Sequence, residues 1–407
     1  MPQTTEPKKK KRLVPNVTIA GDALDMASLR MLAEKEPKAF ITKCQTLIDG
    51  GLRWGDITDL KGLFFALSDV QVPATVNMMG HTRAIMASAF PLLSGGLTVA
   101  GINDAMDAVP TIGQDLVTEM DSNKRFSEIA EITSDNPNAD GVAEGQDYPE
   151  IHAGETKYGI RHRRDGRRIA ITAEMIEEND IPDIVRRVDV LGEIAAESVE
   201  KQTLRRITDL NGSTASAAEP YVLHMNGTAA ALYVATANTP GTRAPSGTRV
   251  NNNALVNTTD LEAARTVLAA MLNSRGERMS IPMSRCTLLV PDALAGTALK
   301  ILGSEQEPSI ENEINNWGPR GVYRPRFRST PRLDDLSTTT WYLGWFEKQF
   351  TRKWKLRFEY VTLSGDTQAF LQSRIAFQAR IGYDCEIGAT GYTYVVQCLD
   401  ATTAPVP

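Results

Sequence analysis

The sequence predicts an α+β fold, from a long helical spine, a strand-rich C-terminal third and a mixed lobe between them. In the spine, Ile184, Val188, Leu191, Ala195 and Val199 recur at three- and four-residue steps up to about Leu210, so one face of a helix is apolar. Asn179 or Asp180 can cap it, and Pro182 suits its first turn. Its roughly 28 residues would reach about 42 Å at 1.5 Å per residue. In the C-terminal third, Trp354, Leu356, Phe358 and Tyr360 alternate with Lys353, Lys355, Arg357 and Glu359. Ile375, Phe377, Ala379 and Ile381 alternate in the same way with Gln378 and Arg380. Such strands bury one face, and the spine's apolar stripe is their natural cover, giving a helix laid on an antiparallel sheet.

Composition sets the class. A chain of 407 residues, 42% of them hydrophobic, is long enough for two or three domains with real cores. Its 44 Lys and Arg against 50 Asp and Glu leave a net charge of -6, which argues against a dedicated DNA-binding protein. Cys44, Cys286, Cys385 and Cys398 are far apart with no C-x-x-C pair, so reduced, buried thiols are expected. No window approaches eighteen consecutive apolar residues, so no membrane span is expected. Asn211-Gly212-Ser213 and Asn226-Gly227-Thr228 fit a glycosylation pattern that has meaning only under secretion.

From the start, Lys8, Lys9, Lys10, Lys11 and Arg12 form a basic run in a polar, Pro-containing tail expected to lack regular structure. Either it is simply solvated, or it touches nucleic acid or an acidic partner surface. Three short amphipathic helices are expected between residues 22 and 67, on Leu24, Met31 and Leu32, on Phe40, Cys44 and Leu47, and on Ile57, Phe64 and Leu67. A fourth apolar stretch at 78–93 is punctuated by Pro91 and by Gly95-Gly96. None can bury its apolar face alone, so all must dock on the main body or on another subunit.

The most legible charges follow. Residues 140–155 carry Asp140, Glu144, Asp147, Glu150 and Glu155 with no Lys or Arg, and Pro149 and Gly154 oppose a helix. The next stretch reverses the sign with Lys157, Arg161, Arg163, Arg164, Arg167 and Arg168, while Tyr158, Ile160, Ile169 and Ile171 alternate as in a strand. An extended hairpin with one acidic and one basic leg is expected, its tip near Tyr148 or at Asp165-Gly166. After the spine, residues 211–253 read as loop broken by short strands at 221–223 and 232–234. Thr259-Asp260 then caps a helix carrying Leu261, Ala264, Leu268 and Met271, and a strand at 287–290 passes through Pro291 into another helix.

Ala143-Glu144-Gly145, Gly154-Glu155, the run Ile169-Ala170-Ile171-Thr172-Ala173-Glu174-Met175-Ile176 and the helix after it resemble the extended loop and spine helix of tailed-phage major capsid proteins. Further resemblance lies in Cys286-Thr287-Leu288-Leu289-Val290-Pro291-Asp292-Ala293-Leu294, in 341–360 and in 370–394, so it spans roughly residues 115–398. The Hong Kong phage-type capsid fold is shared with encapsulin shells and herpesvirus capsid floors. The resemblance, which has no counterpart for residues 1 to about 111, implies an enlarged N-arm over 1–125, with a removable scaffold-like segment as the other reading, an extended loop over 126–172 and a spine helix over 173–212. It further implies an axial domain over 213–335, a peripheral-domain sheet over 336–380 and a C-terminal strand and tail over 381–407. It implies a major capsid protein that assembles into hexamers and pentamers of an icosahedral shell in the host cytoplasm, enclosing double-stranded DNA in the virion. Scaffold, portal and decoration proteins would be its partners, and the mildly acidic balance suits a wall that does not grip DNA.

No catalytic constellation rises above this. The sequence has no G-x-x-x-x-G-K-[ST], G-x-G-x-x-G, G-x-S-x-G or H-E-x-x-H, and His81, His152, His162 and His224 sit in unrelated contexts, each expected to be satisfied or solvated. No cofactor, metal or catalytic residue is expected. Subunit contacts are assigned to Glu144, Asp147, Glu150, Glu155, Arg161, Arg163, Arg164, Arg167 and Arg168, and interior contact with DNA to Lys8–Arg12. Two other readings remain: an encapsulin-like compartment shell, and an α+β enzyme whose Arg161–Arg168 cluster binds an anionic substrate. Loop cross-linking, which some members perform, would have Lys157 as the only loop lysine.

Overall fold

The structure is a computed structural model that describes residues 11–13, 17–19, 26–57, 63, 67, 71–78, 81–124, 126–134, 153–209, 222–235, 243–273, 276–306, 314–364 and 374–400. The chain divides into two compact units. One is Met1–Pro110 with Arg164–Ser198 and Leu356–Tyr383, and the other is Thr111–Arg163 with Val199–Lys355 and Asp384–Pro407. Each has its own hydrophobic core.

In the first unit, the spine helix Ile181–Thr208 begins as its residues dictate. Asp180 accepts from the Asp183 amide at 3.3 Å, so Asp180 is the capping residue, and Pro182 lies in the first turn, where an N–H has no intrahelical partner. Ile184, Val188, Leu191 and Ala195 share a core with Phe377, Ala379 and Ile381 of strand Ile375–Ala389, and Phe358 and Tyr360 of strand Phe350–Ser364 pack at its margin. Trp354, expected beside Phe358 against the spine, falls in the other unit.

The N-terminal residues enter this same core. Leu29, Phe40, Cys44 and Leu47 come from helices Met26–Lys35 and Pro37–Asp49, and Leu93, Leu97 and Ile102 from helix Ala89–Ala108. From Leu29 to Ile102, then, the expected arm docks on the spine of its own chain. The stretch expected as a helix at 78–93 is different. His81–Ser88 is a strand paired antiparallel with Gln71–Met78, and the helix begins only at Ala89. Pro91 falls in its first turn, where proline is tolerated, and Gly95-Gly96 lie inside it rather than ending it. Packing explains the glycine, because a Cβ on Gly96 would stand 2.4 Å from Ile48 Cδ1.

The same helix crosses the spine through glycines. A Cβ on Gly101 would meet Val188 Cγ1 at 2.8 Å, and one on Gly192 would meet the Ile102 carbonyl oxygen at 2.6 Å and Ala105 Cβ at 2.7 Å. Backbone cannot yield as a side-chain tip can, so Gly192→Ala is expected to destabilise by about 1–3 kcal/mol despite alanine's better helix propensity. Gly296→Ala is the control. Gly296 lies in helix Asp292–Gly303 with open space around it and is expected to gain about 0.5–1 kcal/mol. Urea midpoints of the two variants check both signs.

In the second unit a five-stranded mixed sheet runs Arg249–Val250, Val395–Cys398, Trp341–Gly344, Thr287–Pro291, Arg326–Thr330. Thr287–Pro291 is buried along its whole length, as suits a central strand covered on both faces. Helices Thr258–Ala270 and Asp292–Gly303 supply Leu261, Ala264, Leu268, Ala298, Ile301 and Leu302 to that core. The cap of the first is Asn257, paired in a capping box with Asp260, rather than Thr259-Asp260. Trp341–Gly344 and Val395–Cys398 therefore pair within the expected axial lobe and not beyond its expected edge at 335.

Two local corrections have plain causes. No strand forms at 232–234, because the Leu232 amide donates to Asp209 Oδ2 at 2.7 Å and the Val234 amide to Thr248 Oγ1 at 2.9 Å, leaving neither to a ladder. Asn226-Gly227, read as part of a glycosylation pattern, is a two-residue hairpin turn between Leu223–Met225 and Thr228–Ala230, with φ of +50° and +81°. At the N-terminus, Lys11–Leu13 pairs antiparallel with Val17–Ile19, where no regular structure was expected; β-branched Val17, Thr18 and Ile19 supply the propensity. Lys8, Lys9 and Lys10 lie outside the described residues.

Candidate subunit interface

The feature that projects charge is an antiparallel arm. Phe126–Ser134 pairs with Ala153–Arg161 in an unbroken register from Phe126↔Arg161 to Ser134↔Ala153. The connection between them, residues 135–152, holds Glu144, Asp147 and Glu150 and lies outside the described residues, and Glu155 is placed only as the backbone partner of Ile132. Alternation sets the arm's faces. Tyr158 and Ile160 are buried, whereas Arg161 is exposed and Phe126 is 51% exposed. Asn226 buttresses the arm at Lys157, accepting the Lys157 amide through Oδ1 at 2.9 Å and donating its own amide to the Lys157 carbonyl at 2.8 Å. Lys157 Nζ stands 3.9 Å from Glu128 Oε2, both half exposed.

The expected pairing of an acidic leg with a basic leg is not what forms. The two legs are Phe126–Ser134 and Ala153–Arg161, and after His162 the chain enters Arg163–Thr172, a strand of another sheet, at the edge of the order Thr118–Asp121, Phe350–Ser364, Ile375–Ala389, Arg163–Thr172. Asp165-Gly166 is accordingly no hairpin tip. Gly166 is needed for close approach, since a Cβ there would lie 2.6 Å from the Ile381 carbonyl oxygen. Alternation alone shows that a stretch is a strand and not which strand it joins.

Of the six basic residues, only Lys157 and Arg161 are on the arm. Arg164 pairs with Glu359 at 2.8 Å, and Arg380 reaches the same carboxylate at 3.6 Å. Arg164 is 59% exposed and Glu359 27%, so this bridge contributes at most about 1 kcal/mol. Arg163 is exposed and also has a partner. Arg161, Arg167 and Arg168 are exposed and make no ion pair among the described residues.

His162 is the residue that sequence reasoning misjudged. It was expected to be solvated or satisfied, yet its side chain is 1% exposed and neither ring nitrogen completes a hydrogen bond. Position in the basic run gives no sign of this, because the groups that enclose it come from distant strands. Among the described residues no cluster of His, Cys, Asp and Glu is placed to hold a metal, and no helix is long and apolar enough to cross a membrane.

The profile of the phage capsid protein family matches residues 158–394, more than half of the chain. The chain belongs to that family. It is a phage capsid protein, a structural shell subunit and not an enzyme. The matched region starts on the second arm strand, runs through the spine helix and strand Ile375–Ala389, and ends just before strand Val395–Cys398. Similar solved structures include the capsid of a native GTA particle, at 9% identity over 72% of this chain and 92% of that one, with a TM-score of 0.45. The capsid of cyanophage P-SCSP1u matches at 11% over 71% and 88%, TM-score 0.45, and the mature capsid of bacteriophage PhiM1 at 10% over 73% and 89%, TM-score 0.44. Among curated proteins no relative matches.

Proposed function

We propose that this chain is a major capsid protein whose copies close into pentamers and hexamers of an icosahedral shell around double-stranded viral DNA. The observation that carries this reading is the family match across the arm's second strand, the spine and both units. Closed shells need heterologous contacts that repeat around rings. The acidic connection at 135–152 and Glu155 of one copy are proposed to lie against Arg161, Arg167 and Arg168 of a neighbour, with Arg163 and Arg164 beside them. Expression of the full chain followed by sedimentation and negative-stain microscopy tests it. Megadalton particles or rings are expected, and small oligomers alone would overturn the reading.

Assembly is proposed to occur in the host cytoplasm, with scaffold and portal proteins, before the shell becomes part of the virion. Lys8–Arg12 is proposed to touch packaged DNA from inside. Five charges allow a log-log salt slope no steeper than about -4.5, at about -0.9 per neutralised phosphate. Intact mass of subunits from mature particles should retain the run, and protease should cleave it only in opened shells. A missing run, or cleavage in unopened particles, excludes the DNA contact.

A further inference from the structure

The root of the arm holds a buried charge cluster with no part in the contacts proposed above. His162 is the single residue between arm strand Ala153–Arg161 and sheet strand Arg163–Thr172. Its Nδ1 lies 3.6 Å from Asp384 Oδ1, and that oxygen has no hydrogen bond either. Lys353 is fully buried nearby and donates through Nζ to the Lys124 carbonyl at 3.1 Å. The charged groups acting on the imidazole are Lys353 and Lys355 from Phe350–Ser364 and Asp384 from Ile375–Ala389, and the Lys124 backbone ahead of Phe126 opposes the two lysines without completing a hydrogen bond to the ring. Two cations, the buried Lys353 and the exposed Lys355, thus act on a histidine with one carboxylate to offset them. Both legs of the arm meet here, because Phe126 pairs with Arg161 and each is within two residues of the cluster.

We propose that His162, Asp384 and Lys353 form a proton-sensitive hinge, in which a proton added to His162 loosens the Phe126–Arg161 end of the arm. A neutral imidazole is tolerated in this pocket, whereas an imidazolium adds a second enclosed cation beside Lys353. Burial first, and the Lys353 charge second, hold His162 below its ordinary pKa, with Asp384 opposing them. The folded value is therefore lower than the unfolded one of about 6.5. The root is fully stable above that pH and loses stability as pH falls from it toward the folded value. One proton can change the opening equilibrium by at most about tenfold per pH unit.

Whole-molecule melting is a poor readout, because Asp209 titrates nearby with the opposite sign. Burial pushes Asp209 up to about 6 against its contacts with Leu232, Val222 and Arg206, so it favours the folded state as pH falls. Hydrogen exchange on full-length unassembled subunits between pH 7.5 and pH 5, corrected for intrinsic exchange, reads the arm directly. Peptides from Phe126–Ser134 and Ala153–Arg161 should open more at low pH than helix Thr258–Ala270 does. His162→Gln should abolish that excess. Lys353→Met, which removes the adjacent cation, should reduce the excess at a given acid pH, since the pocket then accepts the proton more easily. An arm that follows the reference helix at every pH overturns the proposal, as does an excess that survives in His162→Gln. If His162→Gln does not fold, an unchanged profile in Lys353→Met overturns it. The measurement needs no assembly, so failure of the shell reading would leave it intact.

Discussion

Reversing Arg161, Arg167 and Arg168 to Glu is expected to leave a folded subunit that no longer forms shells. All three are exposed and make no ion pair among the described residues, so the folded chain loses no internal bridge, and the Arg164–Glu359–Arg380 cluster is untouched. One surface pair contributes only about 0–1 kcal/mol, but the change is six charge units per subunit and repeats at every copy of the contact. Like charges would then face the acidic connection that carries Asp140, Glu144, Asp147 and Glu150. Circular dichroism should match the parent while sedimentation shows only small species. Converting Glu144, Asp147 and Glu150 to Lys in the same chain should restore assembly in part, which a merely misfolded variant would not allow. Because exposed charges are screened beyond about 8 Å at physiological ionic strength, the defect should soften in high salt. Particles at parental yield in 0.15 M salt would exclude the charge contact.

What was legible in the sequence follows a physical division. The spine helix and residues 375–381 of strand Ile375–Ala389 bury one face, so their periodicity is written in the chain, whereas Lys353, read as lying on a wet face, is fully buried beside Trp354. Partner choice is not written that way. Arg163–Thr172 reads correctly as a strand, and which sheet it joins is decided by residues far along the chain. Helix breakers misled where packing outweighed propensity. Gly96 is inside a helix, where a Cβ would press on Ile48 Cδ1, a cause invisible until the helices are placed. The candidate interface divides in the same manner. Its charges were plain, but their allotment to arm and sheet was not, and the burial of His162 depends on Asp384 and Lys353, which no local pattern connects to it.

Leu191→Ala should be among the most destabilising single truncations in the spine helix, at about 2–5 kcal/mol. Leu191 is 2% exposed and lies in a core that joins the helices of residues 26–108 with Phe377, Ala379 and Ile381. Its neighbour Gly192 is fixed by the Ile102 carbonyl, so the two helices cannot close over the missing methyls by sliding together. An unrelaxed cavity adds its own cost to the lost burial, which places the expected value in the upper half of the range. Val190 provides the internal comparison. It is 43% exposed on the same helix, and Val190→Ala should cost under about 0.5 kcal/mol. Urea midpoints of the two variants, with unchanged slopes, separate a spine that anchors a core from one that merely spans the molecule. Equal small losses in both would mean that the apolar stripe is not buried, and that the N-terminal helices do not cover it in solution.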